Sequence, residues 1–200
     1  MEHLFSNMPV DVKENTVLGY LGFRKGNIPP EHPMMEEIRR NISALRPNGV
    51  CKLVDVKTAG GLVDLSQGNR VVSQGFLDYL AGCTKALLMA STLGERVSQR
   101  VNELLREGEA ERGVILDACA SACADAGLDF MLKMRKPYLF KMGYELLSTR
   151  FSPGYGDMPL SFQRSLFLLL DAGRLGISLT QGNMLYPEKS VLAVCGVKER

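Results

Sequence analysis

The sequence predicts an α+β protein, a largely antiparallel twisted sheet flanked by helices. Strand-like runs are joined by short glycine-containing turns, as in hairpins. Amphipathic stretches of helical period stand between them. The run at 83–90 is almost continuously apolar, broken only by Thr84 and Lys85. That is the pattern of a central strand buried on both faces.

Residues 1–14 are polar and mixed, an arm or a loose first turn. Residues 15–24 are aromatic and β-branched and read as a strand. Three prolines at positions 29, 30 and 33 make 25–33 a connector. A helix over 34–45 carries Met35, Ile38, Ile42 and Leu45 as its apolar stripe, and 47–49 stop it. Residues 50–56 read as a strand, 58–61 as a turn, 62–65 as the returning strand and 66–69 as a second turn. Ser73 caps a short helix through Phe76, Leu77 and Leu80. After the 83–90 strand, Thr92 and Glu95 fit a capping box. The helix behind it turns Leu93, Val97, Val101, Leu104 and Leu105 inward and stops at Gly108. A long helix over 109–136 has a narrow middle of small residues, 118–124, and Pro137 ends or kinks it. Residues 138–147 form a weaker helix. The stretch 150–161 is a rigid loop feeding an amphipathic helix with Phe162, Leu166, Leu169 and Leu170 on one face, broken at Gly173. Residues 177–179 and 191–197 are strands, with a turn at 181–183 and a loop at 186–189 between them.

The chain has 200 residues, 46% of them hydrophobic, and a net charge of +2. That length suits a single domain. The charge balance gives no nucleic-acid footprint. No apolar run reaches the roughly 18 residues of a membrane span, and the first residues lack the pattern of a secretory signal. A soluble cytoplasmic protein is expected, acting on neither membrane nor nucleic acid. Five cysteines, Cys51, Cys83, Cys119, Cys123 and Cys195, are an odd set and read as reduced thiols. Cys119 and Cys123 stand one helical turn apart but lie among alanines, so they read as small core residues rather than metal ligands.

The 150–161 loop concentrates the chemistry. Arg150 offers a fork for a carboxylate. Tyr155 offers a flat face and a hydroxyl. Pro153 stiffens the loop, while Gly154 and Gly156 open its backbone to a ligand. A small zwitterion with a flat ring suits this set, and so would an ordinary turn with a surface arginine. Asp157 ahead of Pro159 reads as helix-start punctuation. Thr180 and Ser190 are able either to hydrogen-bond a ribose or to fix turns. No nucleophile–base motif of the GxSxG kind and no phosphate loop of the GxxxxGK[ST] kind is present.

Arg150, Gly154, Tyr155 and Pro159 follow the pattern Arg-x-x-x-Gly-Tyr-x-x-x-Pro. This resembles the signature loop of the activation (reactivation) domain of cobalamin-dependent methionine synthase. Residues 176–191, with Gly176, Leu179, Thr180, Pro187, Ser190 and Val191, resemble that family's second conserved stretch. The likeness covers 83–200, with the signature loop at 150–159, and leaves 1–82 as a variable N-terminal part of one domain.

The resemblance implies an S-adenosylmethionine site in which Arg150 meets the ligand carboxylate and Gly154, Tyr155 and Pro153 form the loop around it. Asp125 is the candidate for the ligand's positive groups, standing where the family has a glutamate; an exposed helix acid is the other reading of it. Asp157 is a second candidate, with helix capping its alternative. The implied function is reactivation: S-adenosylmethionine supplies a methyl group, a flavoprotein an electron, and a corrinoid cofactor on a separate methionine synthase subunit is remethylated. Such a chain would act in trans and own no covalent catalyst. Two other functions stay open: an assembly protein that keeps the fold without the ligand, and a free-standing S-adenosylmethionine-dependent small-molecule methyltransferase.

Overall fold

The computed structural model describes residues 2–23, 28–66 and 68–200. In order, its first elements are β1 (Glu2–Phe5), α1 (Glu14–Tyr20), α2 (Pro33–Ala44), β2 (Asn48–Asp55), β3 (Lys57–Ala59), β4 (Leu62–Asp64), β5 (Arg70–Val72), α3 (Gln74–Tyr79) and β6 (Lys85–Thr92). There follow α4 (Glu95–Arg106), α5 (Ala110–Lys141), β7 (Tyr144–Leu146), α6 (Gln163–Leu170), β8 (Ser178–Leu179), β9 (Leu185–Tyr186) and β10 (Ser190–Glu199). Short 3-10 turns stand at Leu160–Phe162 and Ala172–Leu175.

The main sheet has five strands in the order β1-β2-β6-β10-β7, every neighbouring pair antiparallel. β3, β4 and β5 form a three-stranded meander, and β8 pairs with β9 in a small hairpin. The expected α+β class, with its antiparallel sheet flanked by helices, is the architecture observed.

β6 lies at the centre of the sheet because both its faces are apolar. Ala86, Leu88 and Ala90 join Leu192 and Val194 of β10 against Phe76 of α3 and Leu166 and Leu170 of α6. Leu87 and Met89 turn to the other face, with Ala193 and Cys195, and meet Leu128 and Met131 of α5. A fully buried leucine contributes about 1.5–3 kcal/mol by leaving water, so this double-sided pattern fixes the register of both strands. A third cluster joins α1, α2 and α5 through Val17, Leu18, Ile38, Ile115 and Cys119. Ser73 caps α3 as expected, its hydroxyl accepting the Phe76 amide at 3.1 Å.

Several expectations are corrected. The N-terminal arm is a strand: β1 pairs with β2 as an edge whose alternate residues are only half covered, which hides it in the sequence. The strand expected at 15–24 is the helix α1. Adjacent Val17 and Leu18 are both buried, which a strand with one covered face would not allow. Arg24, residues 25–27 of the expected connector, and Gln67 in the expected second turn lie outside the described residues.

Thr92 does not cap α4. It is the last residue of β6, paired with Asn48 and Ser190. The N-cap is Gly94 at φ 75°, whose amide donates to Thr92 Oγ1 at 3.0 Å. Leu105, expected inward, is exposed. Pro137 does not stop α5, which continues to Lys141. Its lost amide removes one helical bond, and the fully buried Leu139 holds the final turn in place. The weak helix expected at 138–147 is thus the end of α5 followed by β7. α6 ends at Asp171, in the left-handed region at φ 47°, and Gly173 falls inside the next 3-10 turn. β5 was not foreseen.

Cys119 and Cys123 are buried core residues of α5, and burial pushes their thiols up to about 12 and about 11. Among the described residues, no helix is long and apolar enough to cross a membrane.

Candidate functional site

The loop after β7 is pinned at its start. Phe151 and Val194 of β10 exchange both backbone hydrogen bonds, at 2.9 and 2.8 Å. The chain then doubles back through Gly154 at φ 89° and Gly156 at φ 56°. Those angles are why glycine is needed there. The Gly154 amide donates to Met158 O at 3.0 Å, closing the turn. Buried Met158 and Phe162 anchor its far end in the core.

Opposite this loop stands the β8–β9 hairpin, tied to α6 by Gln163 Nε2 donating to Asn183 O at 2.6 Å. Between the two walls lies a cleft of about 880 Å³, within the range of small-molecule sites. Arg150, Pro153 and Tyr155 line one side, Thr180 and Tyr186 the other, and Asp125 of α5 closes an end. Leu160, Leu185 and Val191 supply apolar surface.

Arg150 is four-fifths covered and held by α5. Its Nη2 is 2.9 Å from Asp125 Oδ2, and its Nη1 is 3.3 Å from the Asp125 carbonyl and 2.9 Å from Asp129 Oδ1. Asp125 and Asp129 are one turn apart and so share a helix face. Among the described residues Nε has no hydrogen-bond partner, which leaves part of the guanidinium for a carboxylate. Burial, with Asp125 adding to it, raises the Asp129 carboxyl above the usual carboxylate value; Arg150 opposes the shift. Tyr20, at the end of α1, feels the same group. Burial first, then Asp125 and Tyr155, raise its phenol, and Arg150 opposes them.

The candidate residues therefore divide. Arg150, Pro153, Tyr155 and Asp125 meet at the cleft. Gly154 shapes the loop from behind, with Leu160 Cδ1 3.4 Å from where its side chain would start. Asp157 is committed elsewhere. Its carboxylate accepts from Ser73 Oγ at 2.5 Å and from the Gln74 amide at 2.6 Å, so it caps α3 rather than the helix that follows it. Thr180 Oγ1 accepts the Met184 amide at 3.1 Å, and Ser190 Oγ lies 2.7 Å from Thr92 Oγ1. The Thr180 hydroxyl fixes the turn of the hairpin, and the Ser190 hydroxyl ties β10 to β6 across the ladder.

Asp129, Tyr186 and Glu188 were not singled out in the sequence. Asp129 was findable as the residue one turn beyond Asp125. Tyr186, whose hydroxyl donates to Glu95 at 2.7 Å, and Glu188 gave no signal beyond their loop. Among the described residues lining the cleft there is no histidine or cysteine. The arrangement suits binding and orienting a ligand that has a carboxylate, positive groups and a flat apolar part.

Fold and site together define an α+β protein with a cleft between a glycine-containing loop and a hairpin, beside an antiparallel sheet. No protein-family model matches the chain, and no curated protein does. Among solved structures it is similar to the MetH reactivation domain bound to AdoHcy. The TM-score is 0.72, and the match covers 98% of this chain and 78% of that one at 15% sequence identity. The chain has the fold of that domain.

Proposed function

We propose that this protein binds S-adenosylmethionine in the cleft and supports the reductive methylation of a corrinoid cofactor carried by a separate methionine synthase subunit, with a flavoprotein as electron donor. The observation that carries the reading is Arg150. It sits in the signature loop at the cleft mouth, fixed by Asp125 and Asp129 through Nη2 and Nη1. The similar domain bound AdoHcy.

The lining fits such a ligand. Arg150 would take the carboxylate, and Asp125 and Asp129 would face the ammonium. Tyr155, Tyr186 and Leu185 offer apolar faces for the adenine, and Glu188 an acceptor for ribose hydroxyls. S-adenosylmethionine would supply the methyl group. The protein's part is positioning, in keeping with a lining of binding groups. The signature loop at 150–159 and the flanking 83–200 portion would form the ligand half of the domain.

A second reading has its own support. Two carboxylates already neutralise Arg150, so a ligand carboxylate must share a guanidinium that is occupied on one edge. That favours an assembly protein that docks on the corrinoid subunit without ligand.

Calorimetric titration of S-adenosylmethionine into the protein and into Arg150→Ala decides between them. Binding that the variant loses supports the site. No binding, with or without the corrinoid subunit, together with a stable complex with that subunit, selects the assembly reading.

A further inference from the structure

The two tyrosines of the cleft are held differently. Tyr155, on the loop wall, is 71% exposed, and among the described residues its hydroxyl makes no hydrogen bond. Tyr186, on the hairpin wall, is 40% exposed, and its hydroxyl donates to Glu95 Oε1 at 2.7 Å. Glu95 is the first residue of α4 and lies 91 positions away in sequence. Its carboxylate is itself held, because Gln99 Nε2, one turn further along α4, donates to the same oxygen at 3.1 Å. Two more contacts follow the same seam. The Leu93 amide donates to Lys189 O at 3.0 Å, and Ser190 Oγ lies 2.7 Å from Thr92 Oγ1. Residues 186–190 are thus gripped at both ends by residues 92–95. The bond to Glu95 is the first cause, ahead of burial, of a Tyr186 phenol raised above its ordinary value.

A flat ligand ring gains most from an aromatic partner that is already in place. Ordering a free side chain costs affinity, whereas a ring fixed beforehand incurs no such cost. With its backbone in β9 and its hydroxyl on a charged acceptor, Tyr186 has both ends fixed. Glu95 has a simpler role open to it, as an acid in the first turn of α4 that favours the helix dipole. That role needs neither the hydroxyl of Tyr186 nor its place in the cleft wall.

We infer that Tyr186 is the fixed platform for the flat ring of the ligand, and that Glu95 positions it without touching the ligand. Tyr155 closes on the ring from the opposite wall. The inference rests on the reading of the cleft as an S-adenosyl site. It gives α4 a part in binding, although none of the described residues lining the cleft belongs to that helix. The two ends of the ligand are then set by different helices. α5 fixes Arg150 for the carboxylate, and α4 fixes Tyr186 for the ring.

The experiment is calorimetric titration of S-adenosylmethionine into the wild type, Glu95→Ala, Glu95→Gln, Tyr186→Phe and the double variant Glu95→Ala/Tyr186→Phe. Thermal unfolding checks that each is folded. Glu95→Ala and Tyr186→Phe are each expected to lower affinity about threefold to tenfold, the cost of ordering one free ring. The double variant should lose no more than either single one, because both changes remove the same bond. Glu95→Gln keeps an acceptor and should stay within about twofold of wild type. The chain has no tryptophan, so tyrosine emission reports the stack, and saturating ligand should quench the wild type more than Tyr186→Leu. Unchanged affinity in Glu95→Ala, losses that multiply in the double variant, no recovery in Glu95→Gln, or equal quenching in Tyr186→Leu overturns the inference and leaves the S-adenosyl site standing. Failure of the wild type to bind overturns the site and the inference together.

Discussion

Asp157 and Ser73, 84 residues apart, share one hydrogen bond: Ser73 Oγ donates to Asp157 Oδ1 at 2.5 Å. The same carboxylate takes the amides of Gln74 and Gly75, so the N-terminus of α3 is capped partly by a residue of the cleft loop.

The Ser73 hydroxyl, then the Gly75 and Gln74 amides, hold the Asp157 carboxyl below its usual value of 3.8. The contribution to stability is therefore fully present above 3.8 and is lost as pH falls from there through the lower folded value. Urea unfolding of the wild type should lose stability across that acid window. Asp157→Ala should be less stable than wild type at neutral pH, and the gap should close below the window. A gap that persists unchanged into strong acid would mean that the carboxylate charge is not what holds the cap.

Arg150→Lys separates charge from shape. Lysine keeps the positive charge but cannot hold Asp125 and Asp129 while presenting a planar fork. Affinity for S-adenosylmethionine should fall about tenfold or more, with the unfolding midpoint little changed. A lysine variant that binds as well as wild type would show that the site needs only a cation.

At Gly127, α5 packs directly against the sheet. A side-chain carbon built there would collide with Ser91 Oγ of β6 and come within 3.0 Å of Met8 Cε. Ser91 is fully buried in the central strand and cannot retreat. Gly127→Ala should cost about 1–3 kcal/mol through overpacking, despite alanine's better helix propensity. Chemical denaturation reads this directly, and a neutral or stabilising result would show that α5 can lift off the sheet freely.

Lys189 is a nearly covered cation whose partners are Asp117 and Ser121 of α5. Removing the acid leaves the charge without its main partner, whereas removing the charge does not. Asp117→Ala should therefore destabilise by about 1–3 kcal/mol, and Lys189→Met by less. Because Lys189 also adjoins Glu188 in the cleft wall, Asp117→Ala should weaken ligand binding as well, which titration would detect. The reverse order of the two stabilities would mean that the lysine stem, not its charge, holds the loop.

The most legible parts of the fold were those that carry their own pattern. β6 and β10 are apolar on both faces, α2 has a clean stripe ending at residues 47–49, and Ser73 sits one residue ahead of its helix. What escaped depended on distant partners. α1 has the composition of a strand and becomes a helix because α2 and α5 bury Val17 and Leu18 together. Thr92 matches a cap locally but is claimed by the ladders to Asn48 and Ser190. In the cleft, Arg150 and Tyr155 stood out through their loop. That Asp157 reaches across to α3 could not be read from its neighbours, because the amides it meets belong to another part of the chain.

The order of the main sheet also governs how the protein can be made. Residues 85–92 of β6 pair on one side with 48–55 and on the other with 190–197. During synthesis, the middle of the sheet therefore waits for residues 190–197, with the open edge of an apolar strand facing solvent in the meantime. Pairings so distant in sequence make for slow folding, and an unpaired apolar edge is a template for aggregation. β10 is the piece that closes the middle of the sheet. Nascent chains of this protein would be most vulnerable after β6 has emerged and before Ser190–Glu199 have.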